Sequence, residues 1–182
     1  MKKIWEKGTP IDQVIEQFTI GNDRELDLML APYDVLGTMA HSIMLESIGL
    51  LAKNELTELK QELKDIYKST EEGTFSIEEG IEDVHSQVEI LLTQQLGDTG
   101  KRVHTGRSRN DQGLVDLRLF IRDQILAIAA DTKKLFESLI RLSEKHQSVI
   151  IPGYTHLQIA MPSSMGLWFG AFAESLSDDL VM

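Results

Sequence analysis

Leu114-Val-Asp-Leu-Arg-Leu-Phe-Ile-Arg-Asp-Gln-Ile-Leu-Ala-Ile-Ala-Ala-Asp-Thr-Lys-Lys-Leu-Phe-Glu-Ser-Leu-Ile-Arg-Leu142 repeats its apolar positions at steps of three and four without a break. Leu114, Leu117, Ile121, Ile125, Ile128, Thr132, Leu135, Leu139 and Leu142 form one seam, which predicts a single helix of about thirty residues, near 45 Å long at about 1.5 Å per residue. Leu119, Leu126, Phe136 and Ile140 make a second apolar row. Two rows require cover on more than one side, as in a helical bundle or a subunit interface. A lone amphipathic helix needs only one buried face.

Helical spacing continues on both sides of this stretch, and alternation of apolar and polar residues is nearly absent, so the expected fold is all-α. One helix is expected from about Pro32 to Gly49, with Val35, Leu36, Met39, Ile43, Met44 and Leu45 on one side. A second runs from about Asn54 toward Gly73 through Leu56, Leu59, Leu63, Ile66 and Tyr67. A third, roughly Ile81 to Leu96, ends at the turn Gly97-Asp-Thr-Gly100. Beyond the long helix, Ile151-Pro-Gly-Tyr154 reads as a break, followed by a helix opening near Pro162 whose Gly166, Gly170 and Ala173 give a small-residue edge. Its last stretch, Ser177 to Met182, has no Gly, Pro or basic residue, and Asp178 and Asp179 oppose the helix dipole there. The pattern predicts a chain cut in mid-helix.

The 182 residues, 42% of them hydrophobic, suffice for a real core. With no cysteine there is no disulfide framework or thiolate metal site, which fits the cytoplasm. No apolar run follows Lys2 and Lys3, and none is long enough for a membrane span, so neither a secretory signal nor a membrane is expected. A net charge of −11 argues against a nucleic-acid surface.

Against that acidic background, His104-Thr-Gly-Arg-Ser-Arg-Asn-Asp-Gln112 is unusual. Lys101, Arg102, Arg107 and Arg109 fall within nine positions with no Asp or Glu between them, which suggests a small anionic ligand. Ser108 or Asn110 can cap the long helix, with Asp111 completing a capping box. A cap does not explain Gly106, which permits close backbone approach; helix-start amides plus a guanidinium make a carboxylate or phosphate site. Both readings stand on spacing alone. Among the five histidines, His156, set between Thr155 and Leu157 after a Pro-Gly turn, is the best acid or base candidate. His41 and His146 lie within helices and read as structural, and His104 belongs to the basic loop. Glu82-Asp-Val-His85 hints at a metal, but without a second histidine pair at helical spacing no metal is expected. Asp83 reads as a first-turn carboxylate.

Together with Pro152-Gly-Tyr-Thr-His-Leu-Gln158, the basic segment resembles the argininosuccinate lyase family, which includes the lens delta-crystallins, within the fumarase/aspartase superfamily. Tyr33-Asp-Val-Leu-Gly-Thr-Met-Ala-His41 and Glu82-Asp-Val-His85 also look like family segments. The resemblance implies an N-terminal helical domain over residues 1–106, then the first long helices of a fumarase/aspartase-type bundle over residues 107–182, in a homotetramer with a twenty-helix core. It implies reversible elimination of argininosuccinate to arginine and fumarate, in arginine biosynthesis or the urea cycle, without a cofactor. Carried over by position, Ser108, Arg109, Asn110 and Thr155 bind substrate, His156 is the acid/base histidine, and Asp83 supports the substrate site. Two segments depart from the family. The opening reads Trp5-Glu-Lys-Gly8 and Phe18-Thr-Ile-Gly-Asn22 in place of a Gly-Gly-Arg-Phe-like run and a substrate-binding serine. The mobile Gly-Ser-Ser-x-Met-Pro-x-Lys-x-Asn-Pro loop with the catalytic serine is missing, since Met161-Pro-Ser-Ser-Met-Gly166 lacks its lysine and Asn-Pro. The family builds each site from three subunits, so these residues alone are expected to be inactive. The alternative is a non-catalytic, crystallin-like structural protein of the same ancestry.

Overall fold

The computed structural model describes Val14, Ile15, Phe18 and residues 21–181; the segment Trp5–Gly8, and Thr19 and Ile20, lie outside the described residues. Its helices are α1 (Asp23–Asp27), α2 (Ala31–Ser47), α3 (Lys53–Glu71), α4 (Val84–Leu96), the short α5 (Asp98–Lys101), α6 (Arg109–Lys145) and α7 (Met165–Asp179), with a 3₁₀ turn at Arg102–His104. Strands β1 (Ile150–Thr155) and β2 (Gln158–Ser164) form one antiparallel hairpin between α6 and α7. The fold is therefore all-α in class, with that hairpin as its one departure among the described residues. None of the described helices is long and apolar enough to cross a membrane.

Contacts divide the chain into two units, Met1–Ile121 and Arg122–Met182. In the first, Ala31, Val35 and Leu45 of α2, Leu59, Leu63 and Ile66 of α3, and Val84, Val88 and Leu92 of α4 bury against one another, with Leu51 and Val103 closing the cluster. Helices α3 and α4 present their i, i+3, i+4, i+7 stripes to this core as the spacing predicts, but α2 does not turn its expected face inward: Leu36, Ile43 and Met44 are exposed, and Asp34, Thr38 and Ser42 are buried beside Val35 and Leu45. Asp83 stops α4 from starting at Ile81: its Oδ1 accepts the Ser86 amide at 2.8 Å, a helix N-cap. Gly100 lets α5 fold back on α4, for a Cβ there would lie 2.4 Å from the Leu92 carbonyl carbon and oxygen.

In the second unit the expected small-residue edge is present. A Cβ on Gly166 would meet the Ser143 carbonyl oxygen at 2.8 Å and the Gln147 Cα at 2.6 Å, and Ser143 Oγ donates to the Gly166 carbonyl at 2.7 Å. The helix expected near Pro162 instead begins at Met165, where Ser164 Oγ accepts the Leu167 amide at 3.1 Å. Pro162 sits in β2, paired with Pro152. Each strand of a two-stranded hairpin has an open edge, which is where proline's missing N–H is tolerated. The hairpin kinks between Pro152 and Tyr154, where a Cβ on Gly153 would approach the Met161 carbonyl to 2.9 Å. That bulge broke the alternation by which the strands would have been read.

Along α6 many positions of the apolar rows stay in solvent, while Leu119, Phe136, Leu139 and Ile140 are partly buried. Leu114, Ile125, Leu126, Ile128 and Leu135 are each at least half exposed, so the chain by itself does not supply the cover these rows require.

Candidate functional site

The sequence-predicted residues fall in both units. In the first, Ser108 immediately precedes α6, and a reciprocal capping box closes on it: the Ser108 amide donates to Asp111 Oδ2 at 2.8 Å and the Asp111 amide to Ser108 Oγ at 3.3 Å. Of the two cap candidates, Ser108 is the one used. Arg109 is held on three sides, Nε at 3.1 Å from Asp83 Oδ2, Nη1 at 3.0 Å from Glu82 Oε2 and Nη2 at 3.3 Å from Ser86 Oγ. The structure thus brings Asp83 and Arg109 together and sets Ser108 and Asn110 beside them in sequence. Arg109 and Asn110 also line an open depression of about 470 Å³ with Gly113, Leu114 and Leu117.

The four basic residues are not a free positive cluster, as the sequence had suggested. Lys101 pairs with Asp98 at 2.8 Å and Arg102 with Glu55 at 3.0 Å. Arg109 is matched by Glu82 and Asp83. Arg107 turns inward, donating to Thr38 Oγ1 at 3.0 Å and to Gln112 Oε1. The acids that neutralise the cations come from elsewhere in the chain, which is why a count over nine residues missed them. The first amides of α6 lack intrahelical acceptors, and of these the Asp111 amide donates to Ser108 Oγ.

Behind this surface lies a buried polar network that the sequence did not single out. Asp34 and Thr38 of α2 and Gln112 and Asp116 of α6 are all buried. Gln112 Nε2 donates to the Asp34 carbonyl at 2.9 Å and to Asp116 Oδ1 at 3.2 Å. Burial first, and then the Asp34 carboxylate facing it, push the Asp116 carboxyl up to about 8, with Arg107 opposing. The raised value favours the protonated form of the Asp116 carboxyl near neutral pH, hydrogen-bonded to the Asp34 side chain. Burial also draws Arg107 below the ordinary arginine value, against the pull of Asp34, Asp116 and Glu89. The available signal was the buried pair Gln112 and Asp116, four apart on α6 beside Gly113. His41 anchors the same loop, its Nε2–H donating to the Thr105 carbonyl at 2.9 Å, a structural role as its helical position suggested.

Thr155 and His156 lie in the second unit, on the hairpin. Thr155 pairs with Gln158, leaving His156 and Leu157 as a two-residue connection. Both have positive φ, 48° and 64°, as in the type I′ turns that match strand twist. For a histidine and a leucine this conformation costs roughly 1–2 kcal/mol each, and Leu157 recovers nothing by burial, being 98% exposed. Strain of this kind concentrates where a side chain must be held in one direction. It holds the exposed imidazole of His156 at the tip of the hairpin.

A family model described as Lyase matches residues 6–182. The chain belongs to that lyase family. An argininosuccinate lyase of Bacteroides fragilis is 63% identical over 180 residues, covering 99% of this chain and 40% of the relative. Among solved structures, a variant EDDS lyase with bound fumarate is 25% identical at a TM-score of 0.70, covering 84% of this chain and 29% of that one. A fumarate lyase:delta crystallin from Brucella melitensis has a TM-score of 0.75 at 17% identity, covering 93% and 42%, and shares the fold. The chain spans about 40% of the length of the first curated relatives it matches.

Proposed function

We propose that this chain serves in an argininosuccinate lyase, eliminating arginine from argininosuccinate to leave fumarate. The observation that carries the proposal is the 63% identity to a curated argininosuccinate lyase across 99% of the chain. In this reading Ser108, Arg109 and Asn110 receive the substrate at the start of α6, and Asp83 fixes Arg109 there through the 3.1 Å ion pair. Thr155 takes a substrate carboxylate beside His156, the acid/base histidine. Removing a proton from the carbon beside a carboxylate builds negative charge, which directed donors stabilise. The carbon–nitrogen bond then breaks and arginine departs with a proton. No cofactor enters this scheme.

The rest of the proposal follows the family. Residues 1–106 form the N-terminal helical domain, and residues 107–182 open the central bundle. A homotetramer would cover the exposed rows of α6, and the reaction would belong to cytoplasmic arginine biosynthesis. The catalytic serine loop would come from a segment that these 182 residues do not contain, so they are expected to be inactive alone.

The test is fumarate release, followed by ultraviolet absorbance, from the chain alone and from the chain mixed with a separately made C-terminal portion bearing the serine loop. Activity only in the mixture, lost on His156→Asn, supports the proposal. No activity after demonstrated assembly of the two parts would overturn it in favour of the crystallin-like structural reading.

A further inference from the structure

We propose that His85, Glu89 and His104 form a binding site for one divalent transition-metal ion of the zinc type. One ligand atom from each lies within 4.8 Å of the other two. His85 Nε2 is 3.3 Å from His104 Nδ1, and His104 Nδ1 is 3.7 Å from Glu89 Oε2. A tetrahedral ion with bonds of about 2.0–2.2 Å sets neighbouring donors roughly 3.3–3.5 Å apart. One edge already has that length, the second is slightly longer, and a modest turn of the Glu89 side chain closes the third.

The chain orients this donor set. His85 and Glu89 are four apart on α4 and so share a face. His85 is buried, and its Nδ1 lies 3.3 Å from Asp34 Oδ2. An Nδ1–H donating to that carboxylate leaves the Nε2 lone pair directed at His104, the outer-shell arrangement that characterises histidine metal ligands. The 3₁₀ turn Arg102–His104 brings the third ligand, and the His104 side chain is 44% exposed, which gives an ion a path in and leaves the fourth position to water. Arg107 lies close enough to Glu89 to act on it electrostatically; its charge lowers the affinity, and the Glu89 and Asp34 carboxylates oppose it. The sequence hid the set because His104 arrives through a turn rather than at helical spacing from His85. An ion here would tie α4, which opens at Asp83, to the segment leading into Ser108–Asn110. The site does not depend on the identity of the substrate.

Without metal, the same imidazoles share only an N–H···N contact, and titration separates the two cases. The untagged, metal-free chain is titrated calorimetrically with zinc chloride, and its cobalt(II) complex is examined by visible absorption. One equivalent of zinc should bind, cobalt should give the intense bands of a four-coordinate site, and Glu89→Gln and His104→Asn should each weaken zinc by about tenfold or more. Both side chains reach solvent, so these variants are expected to keep the wild-type circular dichroism. A measurement needing no variant is the imidazole C–H spectrum, in which zinc should shift His85 and His104 together. Absence of stoichiometric binding, undisturbed His85 and His104 resonances, or equal affinity in both folded variants would overturn the proposal.

Discussion

Asp116→Asn tests the buried network through its pH dependence. Asp116 is 2% exposed, faces Asp34, and has its carboxyl raised from 3.8 to about 8 by burial and by that neighbouring charge. In the unfolded chain it ionises at its ordinary value, so between these limits the folded protein holds a proton that the unfolded chain has lost. The sign follows: this contribution is fully present below the unfolded value and drains away as the pH rises toward 8. One proton corresponds to a loss of up to about 1.4 kcal/mol per pH unit. From about pH 5 to pH 7 the wild type should therefore lose about 3 kcal/mol through this group. Asparagine does not titrate, and its amide can donate to the Asp34 carboxylate in place of the carboxyl proton. Urea unfolding of both proteins across that range should show the variant gaining on the wild type by about 3 kcal/mol. Groups remote from Asp116 contribute equally to both curves and cancel in the difference. Parallel pH profiles would refute a protonated Asp116 in the folded protein.

Substitutions at three further positions test other parts of the structure. Gly100→Ala places a Cβ 2.4 Å from the Leu92 backbone; because backbone cannot swing aside as a side chain can, a loss of about 3 kcal/mol is expected in thermal unfolding, and an unchanged melting temperature would show that α5 does not pack as described. Leu157→Asn keeps the left-handed turn with a residue that tolerates it and should stabilise the hairpin by about 1 kcal/mol; no gain in melting temperature would mean the turn is unstrained. Asp83→Ala removes both the α4 cap and one of the two Arg109 ion pairs and should cost about 1–2 kcal/mol, whereas Asp83→Ser restores the cap and recovers most of that cost; equal losses in denaturant titrations would assign the effect to the ion pair.

The longer helices α2, α3, α4 and α6 were legible because each carries its own periodicity, and α6 needed nothing beyond the steps from Leu114 to Leu142, whereas α1 and α5 are too short to show one. The hairpin was not, since Pro152, Gly153 and Pro162 are read as helix punctuation, and its bulge shifts the alternation out of phase. The cap at Ser108 could be read locally, for Asp111 lies three residues away. Electrostatics could not: Glu55, Glu82 and Asp83 neutralise Arg102 and Arg109 across gaps of 47, 27 and 26 positions. A window along the sequence counts charges but cannot see their partners. The network of Asp34, Gln112 and Asp116 was hidden for the same reason.

The hairpin also differs from the buried network in the order in which each can form. Thr155 finds Gln158 three positions along the chain, a closure completed in microseconds. Asp34 must find His85 and the Gln112 amide 51 and 78 positions away, and such distant pairings await most of the chain's collapse. His156 therefore takes its posture early and regains it quickly after a local opening. The loop around Arg107, held by Thr38 of α2 and Gln112 of α6, orders only once those helices have met.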